Sequence, residues 1–213
     1  ELVKNQAEKH FIKLLMYEKD TVALVKESEL HSGNPTPVTS DVPTFYDIEG
    51  VDLNACKIAA AFVICKMLDA GGEKMYVSCW NSHLVQAAFP LLSSSCPELR
   101  SWGCLLLAKM FSGLRVAKEY ACKEYSSRIA LFSHLLRDKS PMVRSSCVTL
   151  LAAIIGTRVD VLEATVQQRR IESDKSIMIQ LRQSLFDHSS TVRAEIIYAC
   201  AQIFFHYGTL LDA

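Results

Sequence analysis

The sequence predicts an all-α fold, an α-solenoid of HEAT/armadillo-type helical repeats wound as a right-handed superhelix. Three observations carry that prediction. One pattern is written three times: CPELRSWGCLLLAKM (96–110), SPMVRSSCVTLLAAI (140–154) and SSTVRAEIIYACAQI (189–203). After each arginine, apolar or small residues recur at four, seven, eight and eleven positions, which is one stripe of an α-helix. Eight glycines and six prolines in 213 residues, 50% of them hydrophobic, suit long helices around a substantial core.

In chain order, LVKNQAEKHFIKLLMYE (2–18) and NACKIAAAFVICKMLDA (54–70) predict two helices, the second ended by Gly71–Gly72 as a C-cap. Between them, 31–50 carries three of the six prolines and no apolar period, which predicts a flexible loop. Together these form an irregular first unit, 1–79. Three units follow, 80–122, 123–160 and 173–213. Each has a helix, a short polar turn (SSSCPE, RDKSPM, DHSSTV) and a second helix opened by its arginine.

Upstream of Arg100, Arg144 and Arg193 the frame continues through Leu92, Leu136 and Leu185, then Ala88, Phe132 and Leu181, then Leu84, Arg128 and Ile177. The middle copy departs at Arg128. Pro97 and Pro141 sit where a first helical turn tolerates proline, and Ser140 has N-cap chemistry. The predicted helix pairs span 82–111, 126–155 and 176–205, and spacings of 44 and 49 residues fall in and slightly above the HEAT range. The polar run VLEATVQQRRIESDK (161–175) reads as an exposed loop or a short surface helix. The chain 1–213 is thus one helical-repeat domain. It opens on Glu1 and closes on GTLLDA without a capping device, which reads as a segment of a longer chain.

Composition excludes several functions. Lysine plus arginine equals aspartate plus glutamate at 23 each, without the basic excess of a nucleic-acid-binding domain. No apolar run reaches the ~20 residues of a membrane span. The eight cysteines lack C-x-x-C spacing, and Cys65, Cys104, Cys147 and Cys200 lie in apolar runs, reading as buried thiols in a reducing cytosol rather than metal ligands. No nucleophile elbow, metalloprotease helix, phosphate loop or paired carboxylate is written. The chain reads as no enzyme, with no cofactor or metal.

DAGGEK (69–74) lacks the spacing of a phosphate loop. His134 and His188 lie at first-helix ends, and QRR (168–170) reads as a solvated charge run. Trp80 and Trp102 are candidate partner anchors, although Trp102, beside the core stripe, also suits packing against the next repeat. The repeat arginines have two readings. Asp138 and Asp187, each six residues before an arginine, suit a structural ladder of Arg100, Arg144 and Arg193 with the acids of adjacent turns, left incomplete by Ser94 in the first copy. Partner contact is the other reading.

The succession SCWNSHLVQAAFPLLSSSCPELRSWGCLLLAKMF, LLRDKSPMVRSSCVTLLAAIIG and SLFDHSSTVRAEIIYACAQIFFHY, after ELVKNQAEKHFIKLL and AAAFVICKML, resembles the raptor family, scaffold subunits of the first TOR kinase complex. Trp102 and Gly156 belong to that resemblance. The family has only a short connection where this chain carries 31–50. The resemblance implies a non-catalytic scaffold of TOR complex one in nutrient-responsive growth signalling. Its implied partners are the TOR kinase, Rag-type small GTPases and TOR substrates recruited through a neighbouring domain. It further implies a cytoplasmic protein brought to the lysosomal or vacuolar membrane surface by those partners. By position, Asp69, Arg100 and Asp138 would line a turn ridge receiving the GTPases. The alternative is another HEAT-repeat adaptor, such as a transport receptor.

Overall fold

The computed structural model describes residues 7–17, 52–155 and 164–211, with side chains to residue 204 apart from 164–170. These residues form helices and no strand. The predicted loop 31–50 and Gly156 lie outside the described residues.

Helix α1 is Ala7–Met16, whose Ile12 and Leu15 are buried. Helix α2, Leu53–Asn81, starts at an Asp52 N-cap whose carboxylate accepts the Asn54 and Ala55 N–H groups at 2.9 and 3.3 Å. The double glycine was expected to end this helix, but it only breaks it. Gly72 has φ 58° and ψ −158°, a conformation that disfavours a side chain, and helical structure resumes to Asn81. Helix α3 is short, Leu84–Ala88, because Pro90 removes a backbone donor and the chain continues as a 3₁₀ turn over Pro90–Ser93.

Helices α4 (Pro97–Gly113) and α6 (Pro141–Ile154) each begin with proline at their first position, where its missing N–H costs nothing. Helix α5, Arg115–Leu135, is longer than the pattern suggested and crosses the expected 122/123 boundary. Its polar run hides a buried stripe at four-residue spacing, Ala117, Ala121 and Tyr125. Likewise α7, Ala164–Gln183, absorbs most of the expected insertion into the first helix of the last unit. A 3₁₀ turn, Ser184–Phe186, and α8, Ser190–Leu211, complete the chain.

The second helices α2, α4, α6 and α8 lie side by side as one layer. Phe62 meets Trp102 and Asp69 meets Lys109, so α2 and α4 run parallel. The other layer holds α3, α5 and α7, with α1 packed on α2 and α3. Within a unit the two helices run antiparallel. Early in α5, the Cys122 thiol donates to the Ile154 carbonyl at 3.6 Å, while the Cys147 thiol donates to Phe132, late in α5, at 3.7 Å.

The core lies between the layers. Its center is the predicted stripe of α4 and α6: Cys104, Leu107 and Phe111, with Val148, Leu151 and Ile155, all buried. Each such leucine contributes roughly 1.5–3 kcal/mol on burial. In α8 the same stripe leaves Ile197 and Phe204 exposed, and burial passes to Val192, Ile196, Ala199 and Ile203.

Candidate functional site

Each repeat arginine is the fourth residue of its helix, one turn past the inter-helix bend. From there the side chain folds back over its own turn. Arg100 donates from Nη1 to the Ser94 and Ser95 carbonyls at 2.8 and 3.0 Å. Arg144 does the same to Asp138 and Lys139, and Arg193 to Asp187 and His188. These carbonyls belong to the inter-helix turns, so each arginine ties its turn to the helix that follows.

The opposite edge of the guanidinium reaches the next repeat. Arg100 Nε and Nη2 grip Asp138 Oδ2 and Oδ1 at 2.8 and 3.0 Å, and Arg144 grips Asp187 in the same bidentate way at 2.7 and 2.8 Å. Each aspartate also accepts the N–H two residues on, from Ser140 and Ser189. Arginines and acids therefore alternate as a ladder linking three successive turns.

The charges tune one another. The Arg144 bonds, with the Ser189 N–H and the arginine charge, hold the Asp187 carboxyl below the ordinary range despite burial. Burial pushes Asp138 up, but the Arg100 bonds, the Ser140 N–H and the Arg100 charge outweigh it, so this carboxyl is also lowered.

Ser94 offers no carboxylate, and among the described residues its turn makes no arginine–acid pair with the preceding unit. Its hydroxyl accepts the Cys96 N–H at 3.2 Å, as the aspartates do in their turns. A carboxylate there would need an arginine from the preceding helix, and the fourth residue of α2 is Cys56.

The three candidates for one ridge do not share an edge. Arg100 and Asp138 are bonded to each other at the start of α4 and the turn before α6. Asp69 pairs instead with Lys109, in the middle of α2 and toward the far end of α4. Nine residues of helix separate Lys109 from Arg100, roughly 13 Å of rise. Burial lowers the Lys109 pKa, but its bond to Asp69 and that residue's charge leave it raised.

Trp102 packs against the preceding unit, where its ring meets Phe62 edge-on, with centroids 6.0 Å apart. Its exposed side lines a shallow hollow of about 390 Å³ with Leu105, Pro141, Met142 and Ser145. Phe62 and Met142 remain exposed. An apolar strip thus crosses α2, α4 and α6. Trp80 packs edge-on against Tyr120.

Sequence reasoning missed several contributors. Lys109 lay in the apolar run after Arg100, and nothing marked it as the partner of Asp69. Ser101 and Ser146 meet at 2.6 Å across the α4–α6 contact, a buried polar bond between residues that the stripe pattern passes over. Thr149 donates to Glu195 at 2.7 Å between α6 and α8. For the serine pair, small polar residues one and two places after Arg100 and Arg144 were the available signal.

Burial pushes the Cys65 thiol up to about 11, and burial with the Glu8 charge pushes Cys79 to about 12. Both stay protonated at neutral pH, which is the opposite of an activated nucleophile. Among the described residues no group of three His, Cys, Asp or Glu is placed to hold a metal ion, and no helix is long and apolar enough to cross a membrane.

No family model and no curated protein matches the chain. Among solved structures it is similar to an engineered protein crystallized by the Northeast Structural Genomics Consortium. That match has 14% identity and a TM-score of 0.56, covering 92% of this chain and 71% of the other. A second engineered protein from the same consortium matches with 17% identity and a TM-score of 0.48, over 75% and 43% of the two chains. The first likeness bears on the fold alone.

Proposed function

We propose that this chain is the helical-repeat segment of a raptor-type scaffold, a non-catalytic subunit of TOR complex one. In this reading it binds the TOR kinase, helps present substrates recruited by a neighboring domain, and receives Rag-type small GTPases. It works in the cytoplasm and reaches the lysosomal or vacuolar surface through those partners.

The observation that supports a binding role best is the strip Phe62, Trp102 and Met142 across three parallel helices. Aromatic and methionine side chains are the ones enriched at protein interfaces. The ladder behind them links adjacent repeats, so less freedom is lost when a partner docks. The Rag contact is assigned to the turn edge, where Arg137 and Lys139 are exposed and the Arg100–Asp138 pair holds the turns.

The test is affinity purification of the full-length protein, wild type and with Phe62→Asp plus Met142→Asp. TOR kinase copurifies with wild type and is depleted from the variant at unchanged thermal stability. Absence of TOR kinase from the wild-type eluate defeats the reading. A parallel pull-down on Arg100→Asp with Asp138→Arg addresses the GTPases; unchanged Rag recovery with a stable protein removes that edge from the proposal.

A further inference from the structure

Ser140 stands at the N-cap of α6, yet its hydroxyl makes no cap bond. Its backbone does the holding. The N–H donates to Asp138 Oδ1 at 2.9 Å, and the carbonyl accepts the Arg144 N–H at 3.2 Å. Cys96 fills the same place before Pro97 in the first copy, so the bend itself does not call for a hydroxyl.

The surroundings give that hydroxyl a chemistry. Ser140–Pro141 is the one Ser-Pro or Thr-Pro pair among the described residues, and Thr36–Pro37 lies outside them. Ser140 is extended, with φ −82° and ψ 121°, and partly exposed, while Lys139, Pro141 and Met142 around it are exposed. Proline-directed kinases select a proline after the acceptor because their cleft leaves the next backbone N–H without a partner, and proline has none to lose.

The charge around the bend is uneven. Its carboxylates, Asp138 and Asp187, are already held by Arg100 and Arg144. Arg137 and Lys139 are exposed and enter no ion pair among the described residues. The Met142 and Val143 N–H groups, in the first turn of α6, have no intrahelical acceptor.

We propose that Ser140 is a phosphorylation site for a proline-directed protein kinase, and that its phosphate fastens the start of α6. Ser140 Oγ attacks the γ-phosphorus of ATP. The bond from that phosphorus to the β,γ-bridging oxygen breaks, ADP leaves, and the hydroxyl proton passes to the kinase's catalytic aspartate. The phosphate oxygens accept the idle Met142 and Val143 N–H groups, and the dianion lies beside Lys139 at the positive end of α6. Arg100 neutralizes the nearby Asp138, which limits repulsion. For the kinase to engage, the bend and first turn open. That breaks the Arg144 N–H bond to Ser140 and frees Arg144 from the Asp138 and Lys139 carbonyls, a local opening rather than global unfolding. The assignment does not depend on the TOR reading.

The test treats the 213-residue chain, carrying Thr36→Ala, with a purified mitogen-activated protein kinase and ATP. Peptide mapping by mass spectrometry should find a phosphoryl group on Ser140. Ser140→Ala should abolish it, and Pro141→Ala should lose most of it. The phosphorylated chain should melt about 2–4 °C above the untreated one, and alkaline phosphatase should reverse the gain. A synthetic peptide of residues 134–147 supplies the reference for an unfolded bend. A folded chain that takes no phosphate at Ser140 overturns the assignment, and phosphorylation of the peptide alone would show that the fold shields the site. A phosphorylated chain that melts at or below the untreated one overturns the fastening of α6.

Discussion

Arg144 and Asp187, 43 residues apart in sequence, meet through two parallel hydrogen bonds of 2.7 and 2.8 Å, while the same arginine's third nitrogen closes its own turn. One side chain thereby ties a helix end, a turn and the neighboring repeat. Both partners are mostly shielded from solvent. Arg144→Gln is expected to destabilize the chain by about 1–3 kcal/mol in chemical denaturation. A double-mutant cycle with Asp187→Asn should show strong coupling. Additive losses would mean that the two residues act separately.

Acid should loosen the ladder. Asp138 and Asp187 have carboxyl pKa values lowered on folding below the ordinary aspartate range. A lowered folded value stabilizes above the unfolded pKa, and that stabilization disappears as pH falls through the folded value. Thermal melts from pH 6 downward should hold steady to about pH 4 and then decline. In Asp187→Asn the decline should be shallower. An equally steep acid limb in that variant would place the sensitive carboxylates elsewhere.

The stripe predicts a contrast between equivalent positions. Leu107→Ala and Leu151→Ala, both fully buried, should each cost about 2–5 kcal/mol. Ile197→Ala, on the uncovered face, should stay within about 0.5 kcal/mol. Urea midpoints of the three variants decide it, and a comparable loss at Ile197 would show that this face is covered in solution.

Gly113 and Gly72 matter for different reasons. A Cβ at Gly113 would enter the Tyr76 ring, so Gly113→Ala should cost about 1–3 kcal/mol as overpacking. At Gly72 space is open but φ is 58°, so Gly72→Ala should cost about 1–2 kcal/mol from backbone strain alone. Truncating Tyr76 to leucine should relieve the first penalty and leave the second untouched. Relief of both would contradict the assignment of strain to Gly72.

The sequence alone determined the helical class, the order of the units and the core stripe of α4 and α6. Those features follow from periodicity, and a 3.6-residue repeat of apolar side chains has only one way to be buried. It also identified the ladder residues Arg100, Arg144, Asp138 and Asp187, because a repeat places the same chemistry at the same bend each time, whereas Arg193, expected in the same ladder, bonds only the carbonyls of its own turn among the described residues. Periodicity said less where neighbors decide burial. Ala117, Ala121 and Tyr125 extend α5 through a run that looks polar, since what counts is the face turned to α6 and α7. Asp69 found Lys109 rather than the turn edge because the parallel packing of α2 on α4 sets the middle of one helix beside the later turns of the other, a relation that no local spacing encodes. Ile197 and Phe204 repeat the letters of a core and lie exposed, because burial belongs to the pair of surfaces that meet and not to either sequence alone.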